Sequence, residues 1–137
     1  MDPLAEVPLP PRTPTTAPYW EALDRGELLL ERCAACGAWV HYPRVRCSSC
    51  LSDRLTWERV EPTGTVHAFS VARRATAPMF ADAVPQVIAV VELEVGVRLT
   101  TTIVVDEPSS VRAGTPVTGV FDRVADGVTL LRFRPTP

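Results

Sequence analysis

The sequence predicts a mainly β protein: a short N-terminal helix, then a rubredoxin-like zinc ribbon, then a C-terminal β-barrel of the OB-fold type. Four cysteines stand in two Cys-x-x-Cys pairs, a spacing typical of a four-thiolate zinc site. After the second pair the chain consists of short segments rich in β-branched residues, separated by turn residues, a pattern that indicates strands. Ahead of the first pair, one short segment has the start and stop signals of a helix.

Length and composition limit the range of functions. The chain has 137 residues, 46% of them hydrophobic, enough for one ordinary domain or two small ones with an apolar core. The net charge is −2, and all 14 basic residues are arginine. This balance argues against a protein that binds nucleic acid by bulk electrostatics. The sequence shows neither a signal peptide nor an apolar run of about 18 residues, so we expect a cytoplasmic protein without a membrane partner.

The N-terminal residues 1–17 are expected to form a proline-rich arm or linker. Each proline removes a backbone donor and fixes φ, which excludes a helix or an internal strand here. The arm is therefore either a flexible tail or an extended segment laid across a partner. The remaining chain divides into residues 18–56, the helix and ribbon, and residues 57–137, the barrel.

A short helix is expected over residues 18–26. Thr16 or Ala17 would stand at its cap, Pro18 near its first position and Gly26 just past its end. A helix this short is unstable alone and must pack on its own domain or on another chain. Three apolar side chains near one face are the candidate partner-docking residues: Tyr19, Trp20 and Leu23.

The ribbon is expected over residues 27–56, with strands at 27–32 and 39–42 that flank the first cysteine turn. Its predicted zinc ligands are Cys33, Cys36, Cys47 and Cys50. Four thiolates leave no open coordination position, so the zinc would hold the fold together without activating water. Disulfides would require an oxidising compartment, and iron is the other alternative.

The barrel is expected from a series of short strands. They lie at residues 55–60, 64–72, 85–93, 98–105, 116–124 and 128–133. One helical turn is expected within 106–110, and Asp126-Gly127 predicts a tight turn between the last two strands. Five or six strands in about 80 residues favour a closed OB-like barrel. An SH3-like barrel is the alternative that remains open.

Candidate ligand-binding residues surround the ribbon. Arg32, Arg44 and Arg46 flank the cysteine turns, and flat rings lie nearby at Trp39, Tyr42 and Trp57. Cations beside flat rings suit a phosphorylated nucleotide with an adenine ring. Equally, Arg32 and Arg46 could bond nearby carbonyls or pair with Glu31 and Glu58.

The loop at residues 73–84 is a second candidate region. It begins with Arg73 and Arg74 and is expected to expose Met79 and Phe80, which could contact an acyl chain or a partner surface. The alternative is a loop that only caps the barrel.

We predict no catalytic residue. His67 could form an acid–base pair with Asp82 or Glu92, but a histidine on the barrel surface is the favoured interpretation. No nucleophile elbow, phosphate loop or dinucleotide fingerprint occurs in the sequence.

Taken together, these elements resemble a known family, the zinc-ribbon plus OB-fold proteins associated with acyl-CoA metabolism. The resemblance covers about residues 18–134 and rests mainly on the order of helix, ribbon and barrel. The matching segments are Tyr-Trp-Glu-Ala-Leu at 19–23, Gly-Glu-Leu at 26–28, the first cysteine turn at 32–37, Tyr-Pro-Arg at 42–44, the second cysteine turn at 47–50, and residues 64–69, 85–93 and 116–133.

The resemblance implies a function. Members of this family are usually not enzymes by themselves. They pair with thiolase-like enzymes, including aldolases and acyltransferases, or with hot-dog-fold hydratases, and are thought to bind or channel CoA thioesters. The chain would then be an accessory subunit in lipid or steroid side-chain degradation, with its arginines meeting CoA phosphates, and residues 1–17 could be a linker from a larger parent protein. The alternatives are a single-stranded nucleic-acid-binding module and an independent CoA-thioester enzyme.

Overall fold

The computed structural model describes residues 9–137 as one α-helix and eight strands. The elements are α1 (Ala17–Asp24), β1 (Leu29–Cys33), β2 (Trp39–Val40), β3 (Leu55–Arg59), β4 (Thr63–Ala72), β5 (Gln86–Leu93), β6 (Arg98–Ile103), β7 (Pro116–Ala125) and β8 (Val128–Pro135). Short 3-10 turns lie at Pro78–Ala83 and Pro108–Ser110, the second within the segment predicted to be helical. The expected mainly β fold class is confirmed.

Helix α1 begins after Thr16, has proline in its first turn and is followed by Gly26 with a φ of +76°. The packing of α1 shows that one of the three predicted docking residues, Leu23, was assigned wrongly. Leu23 is 1% exposed and belongs to the chain's own core, so it offers no surface to a partner. Tyr19 and Trp20 are half-buried against the same core. The helix contacts β1, β7 and β8, because eight residues are stable only when their apolar face is covered.

The structure describes only the second half of the arm before α1, from residue 9 onward. Its first eight residues lie outside the described part of the chain. Arg12 forms an ion pair with Asp24 at 2.8 Å and donates a second hydrogen bond to the carbonyl of Gly127. The described end of the arm is therefore held on its own chain, between the helix and the β7–β8 turn.

The ribbon sheet has the antiparallel order β2-β1-β3. Strand β3 was expected among the barrel strands, and this is wrong: it pairs with β1 from Leu29↔Arg59 to Cys33↔Leu55. The reason is that β1 would otherwise leave one edge of backbone donors and acceptors unpaired. The returning strand is also shorter than predicted, since β2 ends at Val40.

The barrel closes in the order β4-β5-β6-β8-β7. All neighbouring pairs are antiparallel except β6 and β8, which meet in parallel at Ile103↔Phe133. Five closed strands with this crossing order form an OB-type barrel and exclude the SH3-like alternative. The last two strands form the predicted hairpin, with Gly127 at a φ of +69° in its turn.

One apolar core serves the barrel, the helix and the start of the ribbon strand β1, whereas a separate small cluster lies beside the cysteines. The first core includes Phe133 at 0% and Val91 at 0% exposed, and it extends to Leu23, Leu28 and Leu30 outside the barrel. At Gly64 the strands approach so closely that a Cβ would overlap the Glu92 carbonyl. No helix within residues 9–137 is long and apolar enough to cross a membrane.

Candidate functional site

The four predicted zinc ligands lie together at the end of the ribbon. Their sulfur atoms are all within 4.8 Å of one another. The Sγ atoms of Cys33 and Cys50 are 3.6 Å apart, as are those of Cys36 and Cys47. A tetrahedral zinc with bonds of about 2.3 Å places its sulfurs about 3.8 Å apart. The cluster therefore fits one zinc ion, and its four thiolates fill the coordination sphere.

Two nearly identical backbone turns position these sulfurs. The amide of Gly37 donates to the Cys33 carbonyl at 2.8 Å, and the amide of Leu51 donates to the Cys47 carbonyl at 2.9 Å. In the same way, each leading cysteine amide is bonded to a carbonyl beyond its own turn. The two halves of the site are thus one structural unit used twice.

The turns also prepare the leading sulfurs to be thiolates. Backbone amides of Cys36 and Ala35 hydrogen-bond the sulfur of Cys33 and lower its pKa to about 6. The amides of Cys50 and Ser49 lower the pKa of Cys47 in the same manner. Desolvation and hydrogen bonds with the neighbouring thiols raise the pKa of Cys36 and of Cys50 in turn. The amides therefore favour the thiolate form, which zinc binds, at the leading cysteine of each turn.

The second turn contains a strained residue that the sequence analysis missed. Leu51 has a φ of +66°, the same left-handed region that Gly37 occupies in the first turn at +78°. A side chain is unfavourable in this conformation. Leu51 is nevertheless 70% exposed, so no packing compensates for the strain. The repeated Cys-x-x-Cys-x pattern was the available signal, since it places residues 37 and 51 in equivalent positions.

The predicted cluster of cations and rings forms only in part. The guanidinium of Arg32 lies 4.9 Å from the centre of the Trp39 ring, donates to the Gly37 carbonyl at 3.2 Å and pairs with Glu58 at 3.5 Å. Trp57 does not join it, because Trp57 stands opposite Glu31 and therefore on the other face of the sheet. The contacts of Arg32 therefore agree with the alternative in which it bonds a nearby carbonyl and pairs with Glu58.

The other ribbon arginines differ in their contacts. Arg46 donates to the Leu51 carbonyl at 3.1 Å. The backbone amide of Arg44 is bonded at 2.7 Å to the buried carboxylate of Glu31, which fixes the loop to β1, while the side chain of Arg44 is exposed. Burial raises the pKa of Glu31. The alternative of local bonding thus describes Arg32 and Arg46, except that Glu31 accepts from a backbone amide and not from an arginine side chain.

The loop after β4 contains a 3-10 turn. Arg73 and Arg74 are exposed at its start, but Met79 and Phe80 are half-buried within the 3-10 turn at Pro78–Ala83. The expected exposed apolar tip is therefore wrong.

His67 lies on the barrel surface at an irregularity in β4. Its Nδ1 is 3.9 Å from a Glu92 carboxylate oxygen, and Arg98 lies 3.5 Å from the same oxygen. Asp82 is exposed in the 3-10 turn. The favoured interpretation of His67 as a surface residue agrees with its exposure.

A crevice that the sequence analysis did not predict lies between α1, the loop at residues 41–43 and the outer face of the barrel. It has a volume of about 510 Å³ and is lined mostly by apolar and aromatic surface. Trp20 and His41 form one wall, and Ile88, Thr102 and Arg132 from β5, β6 and β8 contribute to the other. No local sequence pattern brings these elements together, because they are separated by most of the chain.

The chain matches two family models. It matches "ChsH2, rubredoxin-like zinc ribbon domain" over residues 20–56 and "ChsH2, C-terminal OB-fold domain" over residues 57–122. A DUF35 domain-containing scaffold protein of Methanothermobacter thermautotrophicus is 32% identical over 130 residues, covering 91% of this chain and 97% of that protein. The chain belongs to this DUF35 family of zinc-ribbon and OB-fold proteins. The expected family and the structural zinc are thereby confirmed.

A longer relative is described as a "Probable enoyl-CoA hydratase alpha subunit" of Thermomonospora curvata. It is 36% identical over 135 residues, which is 97% of this chain. The chain spans only 41% of the length of that protein.

Two solved structures share the fold. A chain of a structure described as the Ltp2–ChsH2(DUF35) aldolase is 33% identical, with a TM-score of 0.83 over 93% of this chain and 98% of that one. A protein of unknown function from the DUF35 family of Sulfolobus solfataricus is 13% identical, with a TM-score of 0.62. The second likeness concerns the fold alone.

Proposed function

We propose that this chain is a non-catalytic accessory subunit of a thiolase-fold enzyme, an aldolase or a thiolase, that acts on CoA thioesters. The partner would work in lipid or steroid side-chain degradation, and this chain would complete or stabilise its active site. The observation that carries the proposal is the match to a chain of the Ltp2–ChsH2(DUF35) aldolase over nearly the whole of both chains. A hot-dog-fold hydratase is the second candidate partner, supported by the name of the Thermomonospora curvata relative.

The metal centre supports a structural role. Four thiolates satisfy a zinc ion completely, so the ion has no position for substrate or water. Such an ion makes the end of the ribbon rigid, and the side chains exposed in the two cysteine turns are held in fixed positions.

The same end of the ribbon supports a docking role. Val45 is 72% and Leu51 is 70% exposed, and Arg46 joins their segments through its bond to the Leu51 carbonyl. Strain is retained where it serves a function, and an exposed apolar side chain in a strained turn suits a protein contact. We propose that Val45 and Leu51 bind the partner, with Tyr19 and Trp20 as secondary contacts.

Contacts to CoA are proposed for exposed cations at two places. Arg44 and Arg46 are exposed in the ribbon loop, where Arg46 also bonds the Leu51 carbonyl, and Arg73 and Arg74 are exposed at the start of the loop after β4. Arginine suits phosphate because its donors form a planar fork. The remaining candidates, Arg32, Trp57, Met79 and Phe80, have local contacts or are half-buried and are secondary in this proposal.

We propose residues 1–17 as a linker. The predicted boundary between the ribbon (18–56) and the barrel (57–137) moves to the end of β3 at Arg59, because β3 pairs with the ribbon strand β1. The match to about two-fifths of a longer hydratase subunit supports a linker to a further domain in such relatives.

The test is reconstitution with a thiolase-fold aldolase or thiolase of the same organism. We expect the partner to cleave its acyl-CoA substrate only when co-expressed with this chain. Leu51→Arg should abolish co-purification and activity, whereas the matched control Val104→Arg, at a 51% exposed position on the barrel, should leave both intact. Equal partner activity without this chain would refute the proposal.

A further inference from the structure

Strand β4 is paired along both of its edges only at its beginning. Its pairing with β5 continues to Ala72, whereas its pairing with β7 ends at Thr65. The last contact on the β7 side is made by Val66, which donates to the Thr115 carbonyl and accepts from the Gly114 amide. Beyond that contact, no strand of the described part of the chain covers this edge. The barrel wall therefore has a free edge along the second half of β4.

The direction of the hydrogen bonds in the neighbouring strands shows which backbone groups lie at the free edge. The amide of Leu93, at the end of β5, donates to the Val97 carbonyl at 2.8 Å, so the backbone groups of Leu93 face β6. In an antiparallel sheet, successive residues of a strand direct these groups to opposite sides. Counting back along β5, the backbone groups of Val90 and Ile88 therefore face β4.

The same alternation continues on β4. Ala68 and Ser70 stand opposite Val90 and Ile88 and exchange hydrogen bonds with them, so the backbone groups of Phe69 and Val71 face the free edge. In the part of the chain that the structure describes, no hydrogen bond satisfies these groups on that side. A row of unpaired amides and carbonyls is a template for a further strand.

The side chain of Phe69 is uncovered at the same edge. Phe69 stands opposite Ala89, which is 2% exposed on the inner face of the barrel. Residues directly opposite each other in antiparallel strands have their side chains on one face, so Phe69 also lies on the inner face. It is nevertheless 39% exposed, because the wall beside it has no strand. A strand added at this edge covers the ring.

The charges beside the free edge favour an acidic segment. Strand β4 contains no carboxylate, and it is followed directly by Arg73 and Arg74, which are exposed. Neither arginine forms a salt bridge within residues 9–137. Glu107 lies near Arg73, but its carboxylate already accepts hydrogen bonds from Ser109. The planar donors of arginine suit carboxylates as well as phosphates.

A second copy of this chain fits the edge less well. Two β4 edges placed side by side in antiparallel order bring Arg73 and Arg74 of one copy toward the start of the other copy's free edge. Arg112 stands at that place, since its amide is bonded to the Thr115 hydroxyl at 3.0 Å and the Thr115 carbonyl accepts from Val66. Like charges placed opposite each other are destabilising.

We propose that the free edge of β4, residues 67–72, binds an extended acidic segment of the partner enzyme as an additional strand. The backbone groups of Phe69 and Val71 pair with the segment, an apolar side chain of the segment covers the Phe69 ring, and its carboxylates face Arg73 and Arg74. Strand addition of this kind obtains affinity from main-chain hydrogen bonds and specificity from alternate side chains. The identity of the partner rests on the proposed function, whereas the chemistry of the edge does not.

The test is nuclear magnetic resonance titration of the zinc-loaded full chain with a capped peptide of about six residues that alternates valine and glutamate. We expect the amide signals of residues 67–74 to shift with a Kd of about 1 mM or tighter. Hydrogen exchange at the amides of Phe69 and Val71 should be fast in the free chain and slowed by the peptide. A matched peptide that alternates valine and lysine should bind at least about tenfold more weakly.

Variants locate the binding edge. Arg73→Ala combined with Arg74→Ala should weaken binding of the acidic peptide at least about tenfold. The matched control Arg54→Ala, which removes an exposed arginine of the ribbon, should leave binding unchanged. Phe69→Thr keeps a residue that favours strands and should weaken binding about tenfold through the lost apolar contact. Unchanged amide signals of β5 show that each variant is folded.

The reconstituted complex gives a second measurement, since the amides of Phe69 and Val71 should exchange more slowly in it than in the free chain. The inference is overturned if a complex forms and these amides stay unprotected, or if the acidic peptide does not bind at about 10 mM. Self-association of the chain that protects the same amides would assign the edge to a second copy and would also overturn it. Failure to form any complex refutes the proposed function, and the peptide titration still decides this inference.

Discussion

The ribbon and the barrel of this chain obtain their stability from different sources. The buried apolar cluster of the ribbon consists of Cys33, Val40 and Cys47, with Ala38 and Leu55 packed against it, so two of its three buried members are metal ligands. The barrel instead has a continuous apolar core that reaches from Phe133 to the helix and to Leu30 at the start of β1. A segment too small to bury an adequate apolar core needs a bound metal or another cross-link to stay folded. The comparison shows that zinc replaces a core in one region, while burial of apolar surface is sufficient in the other.

Loss of a zinc ligand should have the largest effect, and it should be confined to the ribbon. Cys47→Ser removes a buried ligand, and structural zinc contributes about 10–16 kcal/mol in small zinc folds at neutral pH. We expect loss of bound zinc and loss of amide protection in β2 and at the cysteine ends of β1 and β3. The strands β5 and β6, and the end of β1 at Leu30, which packs in the main core, should stay protected. Zinc content and hydrogen exchange measure this, with Ser48→Ala as the control. Protected amides in β2 of the metal-free variant would contradict the comparison.

Removal of a large core side chain should affect the barrel instead. Phe133 is fully buried, and Phe133→Ala should cost about 3–5 kcal/mol of unfolding free energy. Urea unfolding measures the loss, and Phe69→Ala, at a position 39% exposed, should cost clearly less. Because the zinc ligands lie outside this core, we expect the variant to retain zinc in the absence of denaturant. A variant that folds but binds no zinc would show that the two regions are not separable.

The two cysteine turns allow a finer test inside the ribbon. Gly37→Leu places a side chain in the left-handed region and should cost about 1–2 kcal/mol. Leu51→Gly relieves that strain but makes the unfolded chain more flexible, so it should gain at most about 1 kcal/mol. Competition with a zinc chelator measures both changes. If Leu51→Gly instead weakens zinc binding, Leu51 supports the metal site, and its proposed docking role loses its main argument.

The smallest expected effect concerns the ion pair that ties the arm to the helix. Arg12 lowers the pKa of Asp24 by a hydrogen bond to its carboxylate. A lowered pKa in the folded state adds stability above the unfolded pKa, and this is lost as pH falls through the folded value. Both side chains are partly exposed, so Arg12→Ala should destabilise the protein slightly at neutral pH. The effect should be smaller in strong acid, where only the hydrogen bond of Arg12 to the Gly127 carbonyl remains. Thermal unfolding across pH checks the trend, with Arg59→Ala, at an exposed position in β3, as the control.

Local patterns in the sequence determined the kinds of elements in this protein. Cysteine spacing predicted the metal and its four ligands, because each turn requires only a few neighbouring residues. The β-branched segments and the turn residues between them predicted the last hairpin and its Asp-Gly turn. Pro18 and Gly26 marked the two ends of the helix within a residue or two. These signals are short-range, so one sequence contains them completely.

Tertiary structure alone decided which elements meet. The pairing of β3 with β1, the burial of Leu23 in the chain's own core and the separation of Trp57 from Arg32 all depend on partners that local patterns do not specify. The crevice of Trp20, His41 and Arg132 depends on them as well, since its walls come from opposite ends of the chain. Backbone pairing and burial join residues that are distant in sequence, which is why the sequence by itself determined the elements and the metal, and only the fold decided the surfaces.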